Sequence, residues 1–362
     1  MTRLLYVQRD RLRFPLDDAT AGKWDALAEA FELRVLSGEA EGPPDPRFRP
    51  ARPGGGAAFY AALPFRVARE LRSFRPEVAV AQTPYEGAAL LLGRALVRVP
   101  VRVVVDVHGD WRYSTRGYGS RLRRLLAPAA DRVAERAIRR ADGVRTVSPF
   151  TSDLVRALGR EPAAEFPAYS DLRAFVATPP APLPARPAAL YVGVLEATKN
   201  VHVLVEAWRE VARRVPEARL VVVGEGAQAA LVEQLAAETR TERRPRLGRA
   251  EVAAALDEAS MLVLPSASEG LGRVIVEAFC RGRGVVGSRA GAIPGLVEDE
   301  VSGLLVPPGD AAALAEALVR VLGDTDLAAR LAAGAREAAP RWALTAADHV
   351  EQTRRLVERV TA

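Results

Sequence analysis

The sequence predicts an α/β chain made of two doubly wound domains, and three observations carry that prediction. Short apolar runs alternate with longer Arg- and Glu-rich stretches at helical spacing, the pattern of parallel βα units. A proline-dense segment, Thr178 to Pro187, lies almost at the midpoint and forbids both helix interior and central strand. At 362 residues, 49% of them hydrophobic, the chain is longer than one compact domain usually is.

In the first half the apolar runs predict strands at Leu4 to Val7, Glu32 to Leu36, Val78 to Ala81, Val101 to Val107 and Val144 to Val147. Gly42 to Gly56 reads as a long loop. Phe59 to Phe74 sets Arg66, Arg69 and Arg72 opposite Leu63, Val67 and Leu71, an amphipathic helix. Arg121 to Arg140 reads as a second helix, dense in arginine. The second half predicts strands at Ala189 to Val192, Arg219 to Val223, Met261 to Leu264, Val285 to Gly287 and Gly303 to Val306. The expected division is an N-terminal domain over 1–178, a linker over 179–187, a C-terminal domain over 188–340, and a final helix over 341–362 packing back on the N-terminal domain.

Composition excludes several classes. No run of some 18 apolar residues predicts a membrane span. Arg3 is followed by four apolar residues and then by Gln8, Arg9 and Asp10, so no secretory signal is expected. One cysteine, Cys280, rules out an internal disulfide framework or a thiolate zinc cluster, and fits a cytoplasmic protein. Residues 1–178 hold 29 basic against 21 acidic residues, and residues 179–362 hold 22 against 24. Lys23 and Lys199 are the only lysines. Such an asymmetry is expected where one half faces an anionic partner, with a solvated helix face as the plainer alternative. Nucleic-acid binding has only the net charge behind it. No Gly-x-Gly-x-x-Gly follows the first strand, which disfavours a dinucleotide-dependent dehydrogenase.

Ser266-Ala267-Ser268-Glu269-Gly270-Leu271-Gly272-Arg273 follows the strand Met261 to Leu264 and leads into a helix ending at Gly282. Amides at Gly270, Leu271 and Gly272 would face outward at a helix N-terminus, where unpaired N–H groups and partial positive charge accept a phosphate. Glu269 and Glu277 are eight residues apart, roughly 12 Å along a helix. Two carboxylates flanking a phosphate cradle suit hydroxyl-rich groups at both ends of a diphosphate.

This segment resembles the retaining family 4 glycosyltransferases of the GT-B fold, marked by two glutamates with seven residues between them and a Gly-x-Gly-like turn after the first. The resemblance continues through Gly282 to Val286, Gly291 to Pro294 and Gly303 to Asp310, and is strong from about Ala188 to Asp310. It implies two Rossmann-like domains with a cleft between them. It also implies that Glu269 contacts the donor sugar, that Gly270, Leu271 and Gly272 hold the diphosphate, and that Glu277 binds the ribose. Tyr191 to Asn200 is similar to the family's phosphate-neutralising segment, which implies donor binding at Gly193 and Lys199. Val194 stands where the family has an arginine, and Arg273 or Arg249 are candidate replacements. Arg246 and Leu247 fall where the family binds the base.

Val103 to Arg112 places His108 at the carboxyl end of a buried strand, where ligands sit in open α/β sheets. The resemblance implies that His108 lines the cleft against the donor sugar, and a structural histidine is the alternative. Asp110 is expected to orient an acceptor hydroxyl and Trp111 to offer a sugar an aromatic face, unless both simply pack. His202 and His349 read as structural, and Asp324-Thr325-Asp326 as a turn between helices.

The resulting expectation is a metal-independent, cofactor-free transferase. It moves a sugar from a nucleotide diphosphate sugar to an acceptor hydroxyl with retention, in polysaccharide, glycolipid or glycoside synthesis, either free in the cytoplasm or peripheral at the inner face of a membrane. The alternatives are a non-catalytic nucleotide-sugar-binding subunit and a nucleotide-sugar epimerase or hydrolase.

Overall fold

A computed structural model describes residues 1–52, 55–113 and 121–362. The chain forms two compact units, Met1–Asp171 with Leu344–Ala362, and Leu172–Ala343. Each is built around one all-parallel sheet.

The sheet of the first unit runs, in spatial order, Phe48–Arg49, Glu32–Leu36, Arg3–Val7, Val78–Ala81, Arg102–Val107, Gly143–Thr146 and Ala164–Glu165. Burial on both faces explains its near-continuous apolar strands. Leu5, Val7, Ala79 and Val103 pack under the helices Gly55–Phe74 and Pro84–Val97, and Val105 and Val107 pack under Arg121–Arg140. Leu4, Tyr6, Val80 and Val104 face Trp24 and Leu27 of the helix Asp18–Ala30, and Leu356, Val357 and Val360 of the last helix, Ala346–Thr361. Of the stretch expected as loop, residues 53 and 54 lie outside the described residues. The rest holds the short strand Phe48–Arg49 and the start of a helix at Gly55, four residues before the apolar periodicity begins.

In the second unit the order is Thr241–Arg244, Arg219–Val223, Ala188–Val192, Met261–Leu264, Gly284–Ser288 and Gly303–Val306. The order reverses between Ala188–Val192 and Met261–Leu264. Thr241–Arg244 is an edge strand with a polar sequence, and no apolar run announces it.

The expected boundary is corrected here. The chain passes between units at Asp171/Leu172 and Ala343/Leu344, so the proline-rich segment belongs to the second unit. Two buried arginines hold it there. Arg281 donates to the carbonyls of Phe175 (3.2 Å), Thr178 (2.7 Å) and Pro179 (3.1 Å), and pairs with Asp257 at 2.5 Å. Arg283 donates to Ala181 (2.9 Å) and Pro182 (3.2 Å) and to the carbonyls of Leu256 and Asp257.

Candidate donor site in the second domain

The reversal of strand order opens a crevice at the carboxyl ends of Ala188–Val192 and Met261–Leu264, the place where open α/β sheets bind ligands. Four side chains from the two loops converge there. A one-turn helix, Ala197–Lys199, brings Lys199 Nζ to 2.6 Å from Glu269 Oε1, and Ser266 Oγ donates to the same oxygen at 2.8 Å. Asn200 ends that turn in the left-handed region, φ 52°, a conformation asparagine tolerates better than most residues. Its side-chain amide donates to Pro265 O at 2.9 Å, and Ala267 N donates to Thr198 O at 3.1 Å, so the two loops are stitched together.

Backbone approach holds the rest of the frame. Gly224, φ 150°, lies so close to the loop after the first strand that a Cβ would sit 1.9 Å from Gly193 O. At Gly291, φ 56°, a Cβ would meet Glu269 O at 2.3 Å, while Ala292 N donates to that oxygen at 2.8 Å. Glu269 is therefore fixed from behind through its backbone and from the side through its carboxylate.

Gly272 caps the helix Arg273–Cys280, whose N-terminus offers the positive end of its dipole beside Glu269. Glu277 lies about one turn along, mostly buried and paired with Arg273 at 3.5 Å. Burial lifts its carboxyl above the ordinary range, and the Arg273 and Arg249 charges take back part of the rise. Arg273 is thus paired with the second carboxylate while most of its side chain stays exposed. Val194 is half exposed, and the Tyr191 hydroxyl donates to its carbonyl at 2.9 Å. Arg246 and Leu247 lie between the edge strand and the helix Arg249–Asp257, Arg246 exposed and Leu247 half-buried.

In the neutral amide Glu277→Gln, the cost of burying a charge disappears. A raised native carboxyl means that the folded state binds more protons between the ordinary and the raised value, so wild-type stability falls as pH climbs through that window. Glu277→Gln should match wild type at acid pH and exceed it increasingly above the ordinary carboxylate range, with weaker nucleotide affinity throughout. Urea midpoints and nucleotide titrations across pH check both halves; a constant stability difference would contradict the assignment.

On the first domain, His108 Nε2 lies 3.6 Å from Asp106 Oδ2, whose other partner is Arg145 at 2.7 Å. Arg145 also donates to the carbonyls of Phe166 and Pro167 and lies 4.0 Å over the Phe166 ring. Burial pushes the Asp106 carboxyl up, but the Arg145 and His108 charges outweigh it and hold the group below its ordinary value. Neither Asp106 nor Arg145 was singled out from sequence, although an aspartate inside a valine run is the signal that marks such a pair. Asp110 accepts the amide of Arg112 at 2.9 Å. Trp111 is only 3% exposed, packed with Ala134, Ile138 and Val155, so its indole has no open face for a sugar and it leaves the acceptor-side set. His349 is buried against Phe166, His202 is exposed, and Asp324 caps the helix Thr325–Trp342.

Known proteins share both halves of this arrangement. The family described as Glycosyl transferases group 1 matches residues 186–324, and the Glycosyl transferase 4-like domain matches residues 19–167. Alpha-D-kanosaminyltransferase of Streptomyces kanamyceticus is 27% identical over 279 residues, 72% of each chain. D-inositol 3-phosphate glycosyltransferase of Saccharomonospora viridis is 34% identical over 215 residues, 56% of this chain and 47% of that protein. In fold, the chain is similar to sucrose-phosphate synthase from Thermosynechococcus elongatus (TM-score 0.75, 21% identity, 97% and 98% of the two chains). It is also similar to Anabaena Alr3699/HepE solved with UDP-glucose (TM-score 0.72, 20% identity, 98% and 99%). Two parallel-sheet domains, both family matches and the Glu269–Lys199 loop pair together place the chain in family 4 of the GT-B glycosyltransferases, which act on nucleotide sugars.

Proposed function

We propose that the protein transfers a hexose from a nucleoside diphosphate sugar to an acceptor hydroxyl with retention at the anomeric carbon. The observation that carries this reading is the Lys199–Glu269–Ser266 cluster at the switch point, followed by a helix that carries Glu277 one turn from its N-terminus. In this reading the Lys199 ammonium and the amides at Gly270, Leu271 and Gly272 take the negative charge that builds on the departing diphosphate, without a metal or other cofactor. Glu269 orients the hexose hydroxyls, and Glu277, as carboxylate, accepts from the ribose. Gly193 lets the diphosphate approach the backbone, and Arg246 with Leu247 flank the base. UDP-glucose bound to the Anabaena relative supports a uridine diphosphate hexose as the first donor to try. His108 and Asp110 are assigned to the first domain's share of the reaction, His108 toward the donor sugar and Asp110 toward the acceptor. The basic first half supports an acceptor carried on an anionic lipid or polymer at a membrane's inner face. Val194, half exposed in place of a cation, favours a second reading, a nucleotide-sugar-binding subunit without turnover.

Thermal stabilisation by a panel of nucleoside diphosphates identifies the base, and labelled transfer from the matching hexose donor follows. The anomeric proton coupling of the product reads its configuration. Stabilisation with acceptor-dependent product is expected. Stabilisation without turnover on any acceptor selects the second reading, and an inverted product overturns retention.

A further inference from the structure

We propose that the outer face of the helices Gly55–Phe74, Pro84–Val97 and Arg121–Arg140 docks on an anionic lipid bilayer by inserting apolar side chains between fringing arginines. The inference deepens the reading of the first domain as the acceptor side by naming the surface and its partner. These helices form one layer over one face of the first sheet. Their inner sides are buried, yet Phe65, Leu92, Leu96, Leu125, Leu126 and Val133 remain 48% to 76% exposed on the outer side. The spacing joins them into ridges: Ala88, Leu92 and Leu96 on one helix, Leu126, Ala130 and Val133 on the next. Between the ridges runs a groove of about 360 Å³, reached by Tyr60, Pro64, Ala88, Leu92, Ala130 and Val133. An open apolar surface of this kind marks an interaction site.

Charge names the occupant. All four carboxylates of the three helices are withdrawn from the outer face. Glu70, Glu86 and Asp131 are buried, and Glu135 is held by Arg112 at 2.7 Å and Arg139 at 3.8 Å. Arg69, Arg72, Arg132, Arg136, Arg139 and Arg140 stay exposed. An apolar centre, an arginine fringe and no exposed carboxylate suit a surface with a hydrocarbon interior and anionic headgroups. Arginine stems lie along the apolar level while their heads reach the phosphates. A second copy fits poorly, because pairing this face with itself opposes arginine to arginine.

Flotation with vesicles of phosphatidylcholine, with and without about one-third phosphatidylglycerol, tests the proposal and needs no sugar transfer. Its failure is therefore distinct from failure of the transferase reading. Binding to the anionic vesicles is expected, with roughly tenfold or greater loss in Leu126→Glu/Val133→Glu. Arg132→Gln/Arg136→Gln should lose the preference for anionic vesicles by a similar factor. The first domain's urea transition, the one that bound nucleotide leaves in place, reports that both variants fold when it stays at the wild-type position. Three outcomes overturn the proposal: no binding by wild type, binding that the Leu126/Val133 variant retains in full, or a dimer in sedimentation that this variant dissolves.

Discussion

Replacing Lys199 with methionine should lower sugar transfer about a hundred- to a thousandfold, the usual loss when one preorganised donor to a developing negative charge is removed. Lys199 is the only lysine of the second domain, and Val194 carries no charge where the family resemblance puts an arginine. No other cation bonds to Glu269 among the described residues. Methionine keeps the length and apolar stem of the side chain and removes only the ammonium, so folding should change little. The ion pair is 14% to 20% exposed, and Ser266 still holds the carboxylate. In the proposed role the loss should appear in kcat more than in KM, because the diphosphate's negative charge is larger in the transition state than in the bound donor. Steady-state kinetics with the best donor, beside a urea melt, separates chemistry from stability. Turnover near wild type would sink the role given to Lys199.

Arg281→Met should destabilise the second domain by about 3–5 kcal/mol, the cost of breaking a buried ion pair whose partner stays behind. Arg281 is almost wholly buried and serves three carbonyls of the segment Phe175 to Pro179 together with Asp257. Methionine fills part of the volume and satisfies none of these acceptors. Asp257 would keep the Ala181 amide at 3.3 Å and, of its two guanidinium partners, the more distant Arg283 at 3.8 Å. A two-domain chain need not melt in one step, so the quantity to follow is the transition that bound nucleotide raises. That transition should move to lower urea while the other stays. A shift below about 1 kcal/mol would show that water replaces the guanidinium at the linker.

Interior strands were the most legible part of the sequence, and burial is the reason. Met261–Leu264 and Arg219–Val223 fall where their apolar runs lie, and Gly284–Ser288 and Arg102–Val107 differ from expectation by one residue at one or both ends. Thr241–Arg244 pairs on one side only, and its ion pairs with Glu233, Glu242 and Glu258 demand a charged sequence that looks like a loop. The domain boundary was misread because proline density reports stiffness, not which core a segment rests on. Arg281 and Arg283, which decide that, look in sequence like ordinary surface charges. In the site, Glu269 and Lys199 stood out as motif residues. The shared oxygen with Ser266 and the Asn200 stitch to Pro265 depend on two loops 70 residues apart meeting at the sheet's reversal. Trp111 shows the opposite failure, an aromatic beside a strand end that the core claims.

The last helix has a consequence for how the molecule is made. Leu356, Val357 and Val360 complete the core that begins at Leu4, and Val360 lies where a Cβ on Gly143 would meet it at 2.6 Å. The first domain is therefore discontinuous, interrupted by the whole of Leu172–Ala343. Synthesised from the N-terminus, the chain leaves part of one side of its first sheet uncovered until the helix Ala346–Thr361 has emerged, while the second domain, one unbroken segment, closes before it. The half that begins first is finished last, and the long loop that must close to finish it contains an already folded body instead of flexible chain.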